Sequence, residues 1–161
     1  MRFIRIIRES LIILLAIVVI VPLLLLFFPV FIFLSIKSYF DEKAYKKAYE
    51  QYVLKINNAN FFCYNNKQSI QKLIEQEVLP LLNNSINVIY LDGRNPVSDF
   101  NKSYISTVLY GIKDKKGFPY ILKIRDGVVV DKSINADLYY TINHNESMSS
   151  LVKKIDLFFK D

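Results

Sequence analysis

From Leu11 to Ile36 the chain is apolar with one exception, Ser35. A helix rises about 1.5 Å per residue and a bilayer core is roughly 30 Å thick, so about 20 apolar residues cross it. The pattern predicts a transmembrane helix over 11–37, preceded by a basic leader over 1–10 and followed by one domain over 41–161. A cleavable signal peptide has an apolar core of roughly 7–15 residues and a small-x-small cleavage site. This run is longer, and no such site follows it. A core helix of a small soluble protein is rarely apolar on every face. Pro22 and Pro29 each remove a backbone donor and predict a kinked anchor. The run holds no ionisable residue, which argues against an ion or proton pathway.

Beyond residue 40 the apolar positions become periodic. Over 41–56, Ala44, Tyr45, Ala48, Tyr49, Tyr52, Val53 and Ile56 form one stripe. That predicts an amphipathic helix, continuing from the anchor after a break and ended by Asn57-Asn58-Ala59-Asn60. Phe61 to Tyr64 reads as a strand. Gln68 to Leu82 reads as a helix with Ile70, Leu73, Ile74, Val78 and Leu81 inward and Pro80 near its end. Ile86 to Leu91 is a buried strand closed by Asp92-Gly93. Asn101 to Tyr110 is a short helix with Gly111 as its stop. Phe118 to Ile124 and Val128 to Ser133 are strands joined at Arg125-Asp126-Gly127. Ser147 to Phe159 is the last helix; Ser147 or Ser149 caps it, and Leu151, Val152, Ile155, Phe158 and Phe159 face the core. Strands first alternate with helices, predicting parallel pairing through right-handed crossovers, and the hairpin then adds an antiparallel strand. The fold class is α/β, a mixed sheet flanked by helices.

The formal charge of +6 includes Arg2, Arg5 and Arg8 of the leader, so the domain is less basic than the whole. Lys37, Lys43, Lys46 and Lys47 follow the span, so counting charges does not orient it. A short basic start running straight into an apolar segment is the layout of an uncleaved signal anchor. The expectation is a single-pass plasma-membrane protein with its domain on the outer side. Lys113, Lys115 and Lys116 read as solvated surface, with attraction to anionic lipid as the alternative. No motif points to nucleic acid. Abundant Lys, Ile, Asn, Tyr and Phe with no Trp suits an AT-rich bacterial genome. The acceptor-like triplets at Asn83, Asn101 and Asn145 follow from so many asparagines.

One cysteine, Cys63, excludes an internal disulfide, and one histidine, His144, has no companion at ligand spacing. His144 reads as a loop residue. The four glycines are scattered, so no phosphate loop exists, and neither cofactor nor metal is expected. Asp92, Asp99, Asp114, Asp126 and Asp131 fall mostly in turns, where Asp bonds to backbone. No Ser or Cys has a recognisable base.

The segment Gly117 to Ile134, GFPYILKIRDGVVVDKSI, resembles the C-terminal half of the thioredoxin fold. In that family a proline, usually cis, opens a strand, a turn glycine follows eight positions later, and a second strand and a final helix complete the unit. Pro119 and Gly127 have that spacing. Tyr90 to Pro96, YLDGRNP, is similar to the strand end and D-x-N-P loop of thioredoxins with one residue inserted. The resemblance covers about 60–159 and is nearest the membrane-anchored proteins of Gram-positive bacteria, including the bacteriocin transport accessory type. It implies a groove beside the proline that takes an extended peptide, lined here by Tyr64, Asn65, Asn66, Phe118 and Pro119.

The departure is the missing C-x-x-C. A redox thioredoxin needs a low-pKa thiol at a helix start and a second thiol to resolve the mixed disulfide. With Phe61 to Tyr64 as the central strand, those positions fall near Lys67 and Ile70. The other alignment makes Cys63-Tyr64-Asn65-Asn66 a monothiol site but leaves its strand only Phe61 and Phe62. Cys63 reads better as a small apolar core residue than as a catalytic thiol. The expectation is a redox-inactive, membrane-anchored binding or accessory module for a peptide or membrane-protein partner, in peptide export or envelope assembly. The alternatives are a monothiol redox protein using Cys63 and a small immunity-type protein acting through its span.

Overall fold

The computed structural model describes residues 2–160, with side chains for residues 9, 11 and 13–160. The leader's Arg2, Arg5 and Arg8 side chains, and Asp161, lie outside the described residues. The elements are α1 (Arg2–Lys55), β1 (Asn60–Asn65), α2 (Gln68–Leu73), β2 (Ile86–Asp92), β3 (Asn95–Val97), α3 (Lys102–Tyr110), β4 (Tyr120–Arg125), β5 (Val128–Ser133), α4 (Asn135–Asn143) and α5 (Met148–Lys160). A π turn, Ile74–Val78, and a 3-10 turn, Leu79–Leu81, extend α2. The chain divides into two compact units, Met1–Ala48 and Tyr49–Asp161.

The first unit is helix throughout its described length. The helix is unbroken, and no break separates the apolar run from the amphipathic stripe. Neither Gly nor Pro occurs between residues 30 and 55, and Ser35 returns its hydroxyl to the carbonyl of Phe31 at 2.8 Å, so nothing interrupts the ladder. Pro22 and Pro29 both lie inside it. Its segment Ile13–Lys55 is the one helix among the described residues long and apolar enough to cross a membrane, with a peak mean hydropathy of 3.2 and none of that window buried. Ala44 and Tyr45, expected to be covered, are exposed.

The second unit is built on a five-stranded sheet in the order β3-β2-β1-β4-β5. Strand β1 is central and pairs parallel with β2 and antiparallel with β4. The antiparallel run of β4 departs from the parallel pairing that element alternation predicts. Helix α3 and the loop after it return the chain to the carboxyl end of β1, where Cys63 pairs with Tyr120. Alternate residues of β1 supply two cores. Phe62 and Tyr64 meet Ile70, Ile74 and Val78 on one face, with Leu138 of α4 and Leu151, Val152 and Ile155 of α5. Phe61 and Cys63 meet Ile105 and Val108 of α3 on the other, with Val53 from the end of α1.

Local chemistry explains the boundaries. Asn58 ends α1 with φ +68°, a left-handed conformation that Asn tolerates. Asp126 and Gly127 take φ +51° and +73° between the paired ends Arg125 and Val128, the two-residue hairpin signature. Asn101 caps α3 by accepting from the amides of Ser103 and Tyr104 at 3.1 and 3.2 Å. The Ser147 hydroxyl accepts from the Ser149 amide at 3.3 Å, so Ser147 is the cap of α5. A π turn carries more residues per turn than an α-helix and shifts the phase of the residues after it. Leu81, predicted inward, is therefore 49 % exposed. Phe158 is half-buried, beside Lys123. Two elements were not predicted: β3, which holds Pro96, and α4, whose N-cap residue Ile134 offers no capping side chain. Strand β5 is an open edge of six residues without proline, and Val128 and Val130 on it are exposed.

Candidate functional site

Helix α2 packs in the core on one face of the sheet and α3 in the core on the other. Chains leaving β1 and β2 therefore diverge to opposite faces, and such a divergence leaves a crevice outside the carboxyl ends of the strands. Asn65 pairs with Leu91 at that end. The Asn66 amide donates to the carbonyl of Leu91 at 3.1 Å, and its Nδ2 to Asp92 Oδ1 at 3.2 Å. Strand β4 starts here too. Pro119 and Phe118 lie just beyond the Cys63–Tyr120 pair, and the Phe118–Pro119 peptide is cis.

The loop leading to Phe118 is anchored by side chains of β5 and α4. The Asp131 carboxylate accepts from the Lys113 amide at 3.0 Å and from the Asp114 amide at 2.8 Å. Asp114 accepts from the Ser133 amide at 3.0 Å, and the Ser133 hydroxyl donates to the Gly117 carbonyl at 2.6 Å. The Gly117 amide donates to the Tyr120 hydroxyl at 2.9 Å, and Asn135 Nδ2 donates to the Lys116 carbonyl at 3.1 Å. These carboxylates satisfy backbone donors, the ordinary work of Asp in loops.

The five expected groove residues divide. Phe118 is half-buried and stacks edge-on against Tyr120, with ring centroids 4.8 Å apart. Asn65 is half-buried and Asn66 is exposed. Pro119 is buried, and its carbonyl accepts from the Ile134 amide at 2.9 Å. Tyr64 is core rather than groove wall, 6 % exposed, with its hydroxyl donating to Glu75 at 3.1 Å. Burial, then the bond to Glu75 and that carboxylate's charge, pushes the Tyr64 phenol up to about 12. Lys67 and Ile70 stand at the start of α2, where the resemblance would put cysteines. Lys67 is exposed and donates to the Tyr139 hydroxyl at 3.0 Å, while Ile70 is core. Cys63 is fully buried in the α3-side core, and burial pushes its thiol far up, so it holds no thiolate near neutral pH.

A cavity of about 460 Å³ opens beside Phe118. Leu91, Gly93 and Arg94 at the end of β2, Pro96 of β3, and Ser106, Leu109 and Tyr110 of α3 complete its wall. Of the five groove residues only Phe118 lines it. The other wall residues are scattered over three further elements; the sequence marks Leu91, Gly93, Arg94 and Pro96 only as a strand end and its loop, and Ser106, Leu109 and Tyr110 only as part of a short helix.

No family model, curated protein or solved structure matches the chain.

Among the described residues no group of three or more His, Cys, Asp and Glu is placed to hold a metal ion. His144 caps the end of α4, exposed, with Nδ1 2.9 Å from the Tyr140 carbonyl and its ring stacked on Tyr140 at 4.1 Å.

Proposed function

We propose that this chain is a membrane-anchored, redox-inactive binding module of thioredoxin-like type, which holds a peptide or membrane-protein partner at the carboxyl ends of β1 and β2. The observation that carries the reading is an open cavity beside Phe118 in a fold whose single thiol is sealed in the core. The strand order, with a parallel β1–α2–β2 unit followed by an antiparallel hairpin and a terminal helix, supports the thioredoxin-like part. The apolar helix supports the anchor. On this reading the anchor lies in a bacterial plasma membrane, the domain faces outward, and the partner belongs to peptide export or envelope assembly.

A monothiol redox protein would need Cys63 exposed and ionisable, and its burial opposes both. An immunity-type protein acting through its span would leave the cavity without work.

The test is a photo-crosslinkable phenylalanine analogue placed at Phe118 in living cells, with the same analogue at exposed Leu157 on α5 as the control. A discrete adduct from position 118 alone is expected, unchanged by Cys63→Ala. Equal adducts from both positions, or none from 118, would overturn the binding-module reading.

A further inference from the structure

The cavity beside Phe118 has a chemical signature of its own. Its walls are mostly apolar: Leu91, Pro96, Leu109, Tyr110 and Phe118. Its volume, about 460 Å³, lies in the range of sites for small ligands, which are largely apolar with a few placed polar groups. The one ionised side chain in the wall is Arg94. It occupies the second position of the Gly93-Arg94 turn between β2 and β3, where Gly93 takes φ +61°. The Arg94 side chain is exposed at the cavity rim, and among the described residues it has no hydrogen-bond or ion-pair partner. The neighbouring polar group is already used: the Ser106 hydroxyl donates to the Lys102 carbonyl at 2.8 Å. Tyr110 stands at the wall 75 % exposed. An aromatic of that size left in water beside a cavity gains most by covering a ligand.

We infer that this cavity binds an apolar group carrying a carboxylate, with the apolar part against Leu91, Leu109, Phe118 and Tyr110 and the carboxylate on the Arg94 guanidinium. Arg presents a planar fork that matches a carboxylate through two parallel hydrogen bonds, and such charge-assisted bonds are about twice as strong as neutral ones. A cation without a partner at the wall of an apolar cavity selects for an anion and against its neutral isostere. Two sources supply this chemistry, a free aryl or alkyl acid and the C-terminal residue of a peptide. The inference rests on the binding-module reading and adds the class of ligand to it.

Four probes decide it, titrated into the full chain in lipid nanodiscs with methyl-labelled Leu and Val: 4-phenylbutyrate, 4-phenylbutanamide, N-acetyl-leucyl-phenylalanine and its C-terminal amide. The acids should shift the Leu91 and Leu109 methyl signals saturably and bind at least tenfold more tightly than their amides. Arg94→Gln should reduce that preference to less than twofold, while the remote Leu157 and Val130 signals stay in place and report an intact fold. Tighter binding by the dipeptide acid identifies a peptide terminus as the ligand, and tighter binding by phenylbutyrate identifies a free acid. Equal binding of acids and amides, shifts confined to other methyls, or no shifts would overturn the inference. Failure here with a position-118 adduct still forming in cells removes the carboxylate ligand and leaves the binding module. Loss of both removes the module.

Discussion

Lys123 is an ammonium in the middle of an apolar strand, 7 % exposed. Its Nζ donates to the Phe158 carbonyl at 2.7 Å and sits 4.7 Å from the centroid of the Phe158 ring. Arg125, two residues on, donates to the Phe159 carbonyl at 3.1 Å and to Asn60 Oδ1 at 2.9 Å. The last carbonyls of α5 thus receive two cations at the end where the helix dipole favours them. Lys123→Ala removes the donor and the packed stem and should cost about 3 kcal/mol in denaturant unfolding. Lys123→Met keeps the stem and should cost about 1 kcal/mol, the share of the hydrogen bond. Equal losses would mean that the packed stem contributes nothing, and an unchanged stability in Lys123→Met would mean that the ammonium contributes nothing. None of this was legible in YILKIR, because the partner is a helix terminus more than thirty residues away. Cys63 was legible, since a sulfur alternating with aromatic residues in a short apolar run has few places to go but the core. Tyr64 was misjudged: its ring completes the core on the α2 side, and only its hydroxyl reaches polar company. Its phenol, pushed from 10.0 up to about 12 by burial and Glu75, is neutral in the folded state where an unfolded tyrosine would ionise. Its contribution to stability is whole below the unfolded value and is lost as pH rises through the folded one. Tyr64→Phe should therefore flatten the fall in stability between those two pH values and delete a late component from the ultraviolet phenolate titration.

At the scale of elements, the last two turns of α1 belong to the domain as much as to the helix. Val53 is 3 % exposed, and Tyr49, Tyr52 and Ile56 pack around it on the α3-side core. Tyr52 lies 4.8 Å from Tyr104, centroid to centroid. Burying each such side chain is worth roughly 1.5–3 kcal/mol. A soluble fragment beginning at residue 41 should melt cooperatively. One beginning at residue 57 should lose about 5 kcal/mol, a large part of what a domain this size holds. Circular dichroism melts of the two fragments compare them directly, and equal midpoints would show that these turns are dispensable. The stripe that predicts this helix is real, but the covering ends where the domain does, and sequence periodicity carries no record of that limit. The hairpin at Asp126-Gly127 was readable because only a few residue types accept two positive φ values in succession. Helix α4 was not, because NADLYYTIN begins without a capping side chain and ends in a polar run that resembles a loop. Strand β3 was hidden by Pro96, which lacks the amide a central strand requires and is tolerated only on an edge.

For the whole molecule, the apolar helix was the plainest message in the chain and the cavity the faintest. The helix is a local run of side chains, whereas the cavity is assembled from β2, the β2–β3 turn, β3, α3 and the approach to β4. On the membrane-anchored reading proposed above, the side of the membrane that the domain occupies decides what can reach that cavity. Asp126→Cys in a Cys63→Ala background puts a thiol on the exposed hairpin turn. Labelling by an impermeant maleimide in intact cells is expected. Labelling only after lysis would put the domain in the cytosol and end the export reading.

The two borders of the sheet are unequal. On one side lies β3, three residues with a proline in the middle; on the other lies β5, six residues without proline, whose last amide, Ser133, is already taken by Asp114. Among the described strands β5 offers the longest continuous border to a foreign strand, since β3 covers only the Tyr90–Asp92 end of β2. If β5 of one molecule joins β5 of another, each has used its longest border, and the outer borders of the pair are the short β3 and the first four residues of β2. Addition through β5 therefore stops at two chains, and further strand-on-strand growth would have to begin on the short, proline-interrupted side of the sheet.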